Sequence, residues 1–333
     1  MQVFRLQEHT DAIQGSNIKR NPRTAHLRKL EVFMYVVAGA SGNTGSVVAD
    51  KLLSMGQKVR ALGRNAEHLK PLTMKGAEPF ALDLTDAAAL TRALTGARAV
   101  YIMIPPDMTS HDAYAFQKSV TSSFSSALTD SHVEYAVSLS SIGADKPENT
   151  GPVVGLHNLE QRLNHIPGLN VMHLRAGYFM ENTLGQVGII RANGFAGGPL
   201  RPDLLLPMIA SRDIGAYAAE RLLALDFRKQ EVRELQGQRD LTMSEAAKII
   251  GSAIGKPDLQ YRQLPDEQIF TAMTQMGMSA DVASLLLEMS AALNSGHMRA
   301  LEPRTALNTT PTSFEKFVEE EFVPAYNSHP AAA

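Results

Sequence analysis

The chain contains no cysteine. That absence excludes disulfides, thiolate metal sites, a catalytic thiol and cysteine-based redox sensing, so any redox role must run through a cofactor. No apolar run approaches the roughly 20 residues needed to span a bilayer. The ten histidines show no HExxH or comparable ligand spacing, and no metal is expected. Neither sign of charge dominates: the net charge is −2 over 333 residues with both signs interspersed. A basic footprint for nucleic acid or an anionic membrane surface is therefore missing, and neither is an expected partner. A cytoplasmic location is the default expectation. Residues 1–33 lack an apolar targeting core and are mainly polar. They read as an upstream extension outside the fold, with a transit peptide as the second reading, opposed by Glu8, Asp11 and Glu31.

What is present begins at Met34. The stretch Val36-Val37-Ala38-Gly39-Ala40-Ser41-Gly42-Asn43-Thr44-Gly45, followed by Val47, Val48, Ala49, Leu52 and Leu53, reads as a buried strand, a glycine turn and a helix. Each glycine has a physical job in holding a pyrophosphate. Gly39 turns the chain sharply off the strand, Gly42 lets backbone approach the phosphates, and Gly45 lets the helix pack close. The unpaired N–H groups at the helix start face the anion. The expected phosphate-side set is Gly39, Ser41, Gly42, Asn43, Thr44 and Gly45.

Apolar runs then alternate with helical patterns. Strands are expected over 59–62, 78–82, 99–104, 133–139 and 170–174, with helices near 65–74, 86–95, 111–130 and 153–165. This implies an α/β fold of Rossmann type, a doubly wound parallel sheet covered on both faces. From Asn182 onward the pattern becomes mainly helical, suggesting a smaller C-terminal lobe over 182–330, with about 205–237 returning to the sheet. Asp213 is expected to open a helix running to Leu225, and Val232 to Leu235 offers a strand. Thr242 with Glu245, and Thr312 with Glu315, have capping-box spacing.

Cofactor preference is read at the end of the second strand. Leu62-Gly63-Arg64-Asn65 lacks the acid that would accept hydrogen bonds from both ribose hydroxyls. Arg64 offers a guanidinium suited to a 2′-phosphate, so NADP(H) is favoured over NAD(H); the alternative is a surface arginine. Asp83 is a candidate acceptor for the adenine amino group, with Leu84 donating its N–H; the alternative is a turn aspartate. Ile104 and Ser140, at the ends of the next two sheet strands, complete the expected cofactor contacts.

A ketone reductase on this fold pairs a serine with Tyr-x-x-x-Lys on the following helix. Ser138, Ser140 and Ser141 are present, but the helix after them has neither tyrosine nor lysine. Tyr114 and Lys118 have the spacing on the wrong helix, where the stripe Phe116, Val120, Phe124 and Leu128 turns Lys118 toward solvent. The methionines Met273, Met276, Met278 and Met289 read first as helix packing and second as an adaptable pocket lining.

The glycine motif, Arg64-Asn65, the run Leu139 to Ala144, the run Leu156 to Glu160 and the run Leu174 to Asn182 together resemble the NmrA-like NAD(P)-binding family, atypical members of the short-chain dehydrogenase/reductase superfamily. The resemblance spans about 34–322 and includes Leu241-Thr242, Asp266-Glu267 and Phe314. Ala176 departs from the Arg-Pro-Gly usual there. The resemblance implies a Rossmann domain over 34–181, a small lobe, a bound NADP(H) or NAD(H), and one of two jobs. One is quinone reduction with NADPH. The other is redox sensing without turnover, in which the C-terminal lobe reads a partner protein. Under the first, His157, Ser140 and Tyr178 are the candidate catalytic residues, His157 to orient a quinone-like acceptor or supply a proton. A helix-surface or core histidine is the alternative for His157, and core packing the alternative for Tyr178 and Phe179.

Overall fold

The computed structural model describes residues 32–328. The expected extension lies outside the described residues except for Val32 and Phe33. Phe33 already belongs to the fold: its N–H donates to the Gln57 side chain, its carbonyl accepts from Lys58, and its ring packs on the core.

In chain order the strands are β1 (Met34–Val37), β2 (Lys58–Gly63), β3 (Glu78–Ala81), β4 (Ala99–Ile102), β5 (Tyr135–Ser141), β6 (Asn170–Ala176), β7 (Tyr178–Phe179), β8 (Ala196–Gly198), β9 (Leu205–Ile209), β10 (Gln230–Leu235), β11 (Asp240–Thr242) and β12 (Tyr261–Gln263). The helices are α1 (Asn43–Ser54), α2 (Lys70–Thr73), α3 (Ala87–Leu94), α4 (Ala113–Ser131), α5 (Val153–Asn164), α6 (Gln186–Asn193), α7 (Ser211–Ala224), α8 (Met243–Ala253), α9 (Asp266–Gln275), α10 (Ala280–Ser295), α11 (Phe314–Phe317) and α12 (Val323–Ser328).

Seven strands form one all-parallel sheet in the order β10-β6-β5-β4-β1-β2-β3. Strand β1 shows why both faces must be covered. Tyr35 and Val37 enter one apolar layer with Val48 and Leu52 of α1 and Ile214 and Leu222 of α7. Val36 and Ala38 enter the opposite layer with α3, α4 and α5, where Val120 and Phe124 are fully buried. The order reverses between β1 and β4, so the carboxyl ends of these strands flank the crevice where such sheets take ligands.

Beyond β6 the chain builds a third core around Met208, Ile250, Phe314 and Phe322. This lobe is helical, but it also carries two small sheets, β11-β9-β7 and β12-β8, absent from the sequence reading. Of the stretch 205–237, α7 and β10 join the main sheet layer, whereas β9 pairs in the lobe. Helix α7 starts at Ser211 rather than Asp213, because Asp213 is occupied elsewhere: its carboxylate accepts from the N–H and hydroxyl of Thr312. That bond also displaces the capping box expected at Thr312, and Ser313 caps α11 instead by accepting from the Lys316 N–H. The box at Thr242 and Glu245 is present in both directions.

Buried on β6, His173 accepts from the Ser138 hydroxyl at Nδ1 (2.6 Å) and donates from Nε2 to Asn164 (2.9 Å), which fixes a neutral ring. Burial holds its pKa down at about 4. The unfolded chain takes up this proton near pH 6.5 and the folded chain only near pH 4, so the stabilising contribution is intact above about pH 6.5 and lost as pH falls toward 4. That window is expected to remove about 3 kcal/mol of stability. Urea unfolding at pH 7 and pH 4.5 should show the drop, and His173→Gln should flatten it; an equal drop in the variant would assign the effect to other groups.

Candidate functional site

The glycine loop is shaped by backbone contacts rather than by flexibility. Gly39 has φ +61°, a left-handed conformation that side-chained residues rarely adopt. A Cβ on Gly45 would overlap the carbonyl oxygen of Gly39 and lie 2.7 Å from its carbonyl carbon. Gly42 precedes α1 without a side-chain cap, and Ser41, Gly42 and Asn43 are exposed. The N–H groups of the first helical turn are thus left for an external anion, and the loop fits a pyrophosphate. Thr44 is different from its neighbours: its hydroxyl is buried and accepts from the Tyr101 hydroxyl at 2.9 Å, which pins α1 to β4.

Arg64 follows β2 at the exposed edge and makes no hydrogen bond, ion pair or ring contact with a described residue. Its charge reaches Asp83 and Asp107, where it is a minor contribution to lowering both pKa values. The main cause in each case is hydrogen bonding, to Thr85 at Asp83 and to Thr109 at Asp107. Asp83 is therefore a turn aspartate in geometry, accepting from the N–H and hydroxyl of Thr85 at 2.9 and 2.8 Å. Leu84 beside it is buried.

Strand β4 stops at Ile102, two residues short of the expected end, and Ile104-Pro105-Pro106 turns away; neither proline has an N–H to extend the ladder. This turn, the ends of β5 and β6, and strand β7 form one side of a cavity of about 560 Å³. The facing wall is Val282, Leu285, Leu286, Met289 and Leu293 of α10, and Leu204 to Pro207 and Met298 close the sides. Such a volume suits a small organic ligand. Helix α10 is latched over it: Asp281 accepts from the Ala113 N–H at 2.8 Å, Ser279 donates from its N–H to the Met108 carbonyl, and Glu288 accepts from the Gly151 N–H.

Of the sequence candidates, Ile104, Ser140, Ser141, Tyr178 and Phe179 line this cavity. His157 does not; its Nδ1–H donates to the Ala144 carbonyl at 2.8 Å. Ser140 is almost fully buried, and its hydroxyl donates to Glu160 at 2.6 Å. Glu160 in turn accepts a two-point bond from Arg175 at 3.0 and 2.7 Å, so the serine is one arm of a buried ion-pair network. Burial pushes the Tyr178 hydroxyl up to about 12, so it stays protonated at neutral pH and keeps an O–H to donate. Lys118 is exposed, and the Tyr114 hydroxyl donates to the Gly151 carbonyl. Met289 lines the cavity, Met278 packs beside Val282 and Leu285, and Met276 is exposed. Among the lining residues that sequence reasoning did not single out are Leu204 to Leu206, Met298 and Arg299. Leu204, Met298 and Arg299 lie in irregular segments with no periodic signal, and Leu205 and Leu206 open the short strand β9. No group of three potential metal ligands occurs among the described residues, nor does a helix long and apolar enough to cross a membrane.

Two family models match: one described as NAD(P)H-binding over residues 39–199, and the NmrA-like family over residues 157–319. An uncharacterized oxidoreductase of Bacillus subtilis, YesF, is 25% identical over 272 residues, covering 78% of this chain and 85% of that protein. Quinone oxidoreductase 2 of Escherichia coli is 24% identical over 268 residues, covering 79% of this chain and 89% of its own. The structure of the Escherichia coli NADPH-dependent quinone oxidoreductase QOR2 complexed with NADPH superposes with a TM-score of 0.67 at 21% identity, covering 87% of this chain and 99% of that one. NmrA, a negative transcriptional regulator in complex with NAD, gives 0.61 at 16% identity over 89% of this chain and 97% of its own.

Proposed function

Because the chain belongs to the NmrA-like NAD(P)H-binding proteins, we propose that it is an NAD(P)H-dependent reductase of a quinone or similar small apolar acceptor, with NADP(H) the preferred dinucleotide. The observation that carries this reading is the apolar cavity at the carboxyl ends of β4, β5 and β6, beside the crevice marked by the glycine loop. Gly39, Ser41, Gly42, Asn43 and Gly45 would hold the pyrophosphate, Arg64 the 2′-phosphate, and Ile104 with the β5 end the inner portion. When bound, the dinucleotide supplies a hydride, and a proton from solvent completes the hydroquinone.

The protein's own part is to bind and orient. The walls exclude water from one face of the acceptor, and Tyr178 donates a hydrogen bond to an acceptor oxygen. Quinone reduction gains aromaticity and leaves a weakly basic phenolate, so it tolerates a site without a low-pKa acid. The commitment of Ser140 to Glu160 and the absence of His157 from the cavity lining favour this undemanding chemistry over ketone reduction. They also suit the second reading, a dinucleotide sensor. Mixing NADPH-loaded protein with menadione in a single turnover separates them: nicotinamide oxidation well above a protein-free control is expected, and tight binding with no oxidation would leave the sensor.

Arg64 carries the dinucleotide preference. Arg64→Ala is expected to weaken NADPH about 10- to 100-fold, the worth of a charge-assisted hydrogen bond, because Asp83 and Asp107 then leave the local field negative. NADH should change only about twofold. Fluorescence titration of both reads the difference, and equal losses would overturn the 2′-phosphate role.

A further inference from the structure

Resting on the reductase reading, we propose that the acceptor is a fused-ring quinone bearing an acidic substituent, a carboxylate or sulfonate, and that Arg299 selects it. The cavity's outer part is apolar and built from Leu204 to Leu206, the inner face of α10 and Met298. Its three lining residues that carry charge at neutral pH are Asp107, Asp240 and Arg299. Asp240 is neutralised by an ion pair with Arg304. Asp107 is held in a turn by Thr109 and feels Arg64 on the dinucleotide side. Arg299 alone of the three has no hydrogen bond, ion pair or ring contact with any described residue.

The backbone that carries the exposed Arg299 is held in place on both sides. One residue before it, Met298 is buried, donates its N–H to the Ala292 carbonyl at 3.0 Å, and packs so tightly on Gly143 that a Cβ there would lie 2.7 Å from its side chain. Two and three residues after it, the N–H groups of Leu301 and Glu302 donate to buried Glu234 at 2.7 and 2.8 Å. The segment is thus anchored on both sides of a cation standing at the edge of an apolar slot. An apolar ring system seated against α10 with an anionic group directed to the mouth matches both features, and the ordering cost of the segment is already met.

The test uses binding and turnover. Calorimetry of the protein with naphthalene-2-sulfonate and with neutral 2-naphthalenemethanol is expected to favour the sulfonate about tenfold. Arg299→Ala should abolish that discrimination and Arg299→Lys should retain part of it, with the sulfonate advantage shrinking as salt rises. In turnover, the ratio of kcat/KM for 1,4-naphthoquinone-2-sulfonate over menadione should fall about tenfold in Arg299→Ala, through KM rather than kcat. An unchanged ratio, or equal binding of the two naphthalenes by the unaltered protein, overturns the proposal. If no quinone is reduced by the unaltered protein, the reductase reading fails by itself, and calorimetry still decides whether Arg299 selects an acidic ring system.

Discussion

Replacing Gly45 by alanine is expected to cost about 1–3 kcal/mol of stability and to weaken dinucleotide binding by about one to two orders of magnitude. The added Cβ would overlap the Gly39 carbonyl oxygen and lie 2.7 Å from the Gly39 carbonyl carbon and 3.1 Å from the Ala38 oxygen. All three atoms are backbone, and they belong to the turn that leaves β1, where Ala38 and Ala40 donate their N–H groups to Tyr101 and Leu62. No side chain can swing away to relieve the overlap, so either α1 slides outward or the turn opens. In both cases the free N–H groups around Asn43 lose their common aim, and one misdirected charge-assisted bond accounts for the loss in affinity.

The same substitution at Gly188 has the opposite sign. Gly188 is an exposed position inside α6 with nothing within 4 Å of an added Cβ, so alanine there should stabilise by about 1 kcal/mol through helix propensity. Denaturant midpoints of both variants, together with NADPH fluorescence titration, check the pair. Gly45→Ala with unaltered affinity would remove the loop from the dinucleotide site.

The contrast between these glycines explains how far the sequence could be read. The sheet was legible because its inner strands are apolar on both faces, and the run from Val36 to Ala38 permits little else. The glycine loop was legible because its glycines answer to local backbone geometry, which spacing along the chain records. Strands β7, β8, β11 and β12 were not, since two or three residues contain no period to detect. Nor was the cavity, whose walls join residues from Ile104 to Ala300 only after the lobe has folded. The two helix starts show the same limit: spacing suggested Asp213 and Thr312 as separate caps, whereas the fold spends them on each other. On α5, sequence reasoning singled out His157, yet the residue of that helix that reaches the end of β5 is Glu160, three positions on. A glutamate in Leu159-Glu160-Gln161-Arg162 has no local mark of burial, and its partners Ser140 and Arg175 lie on two different strands.

Glu160→Ala is accordingly expected to lower the unfolding free energy by about 3–5 kcal/mol, the cost of leaving one member of a buried ion pair alone. The Glu160 side chain is 2% exposed and that of Arg175 13%, so water cannot replace the lost carboxylate around the guanidinium. The Ser140 hydroxyl loses its acceptor in the same step. Because Ser140 and Arg175 belong to neighbouring strands and Ala176, Gly177 and Tyr178 follow directly, the variant should also loosen the cavity and raise KM for the acceptor. A charge-free replacement distinguishes this account from simple loss of packing. With methionine at both Glu160 and Arg175, neither member of the pair is left alone and buried Glu234 beside Arg175 keeps its bonds from the Leu301 and Glu302 N–H groups, so stability should return to within about 1–2 kcal/mol of the unaltered protein. Urea unfolding of the single and double variants closes the cycle. A double variant no more stable than Glu160→Ala would mean that the network contributes through specific geometry rather than through the pairing of its charges.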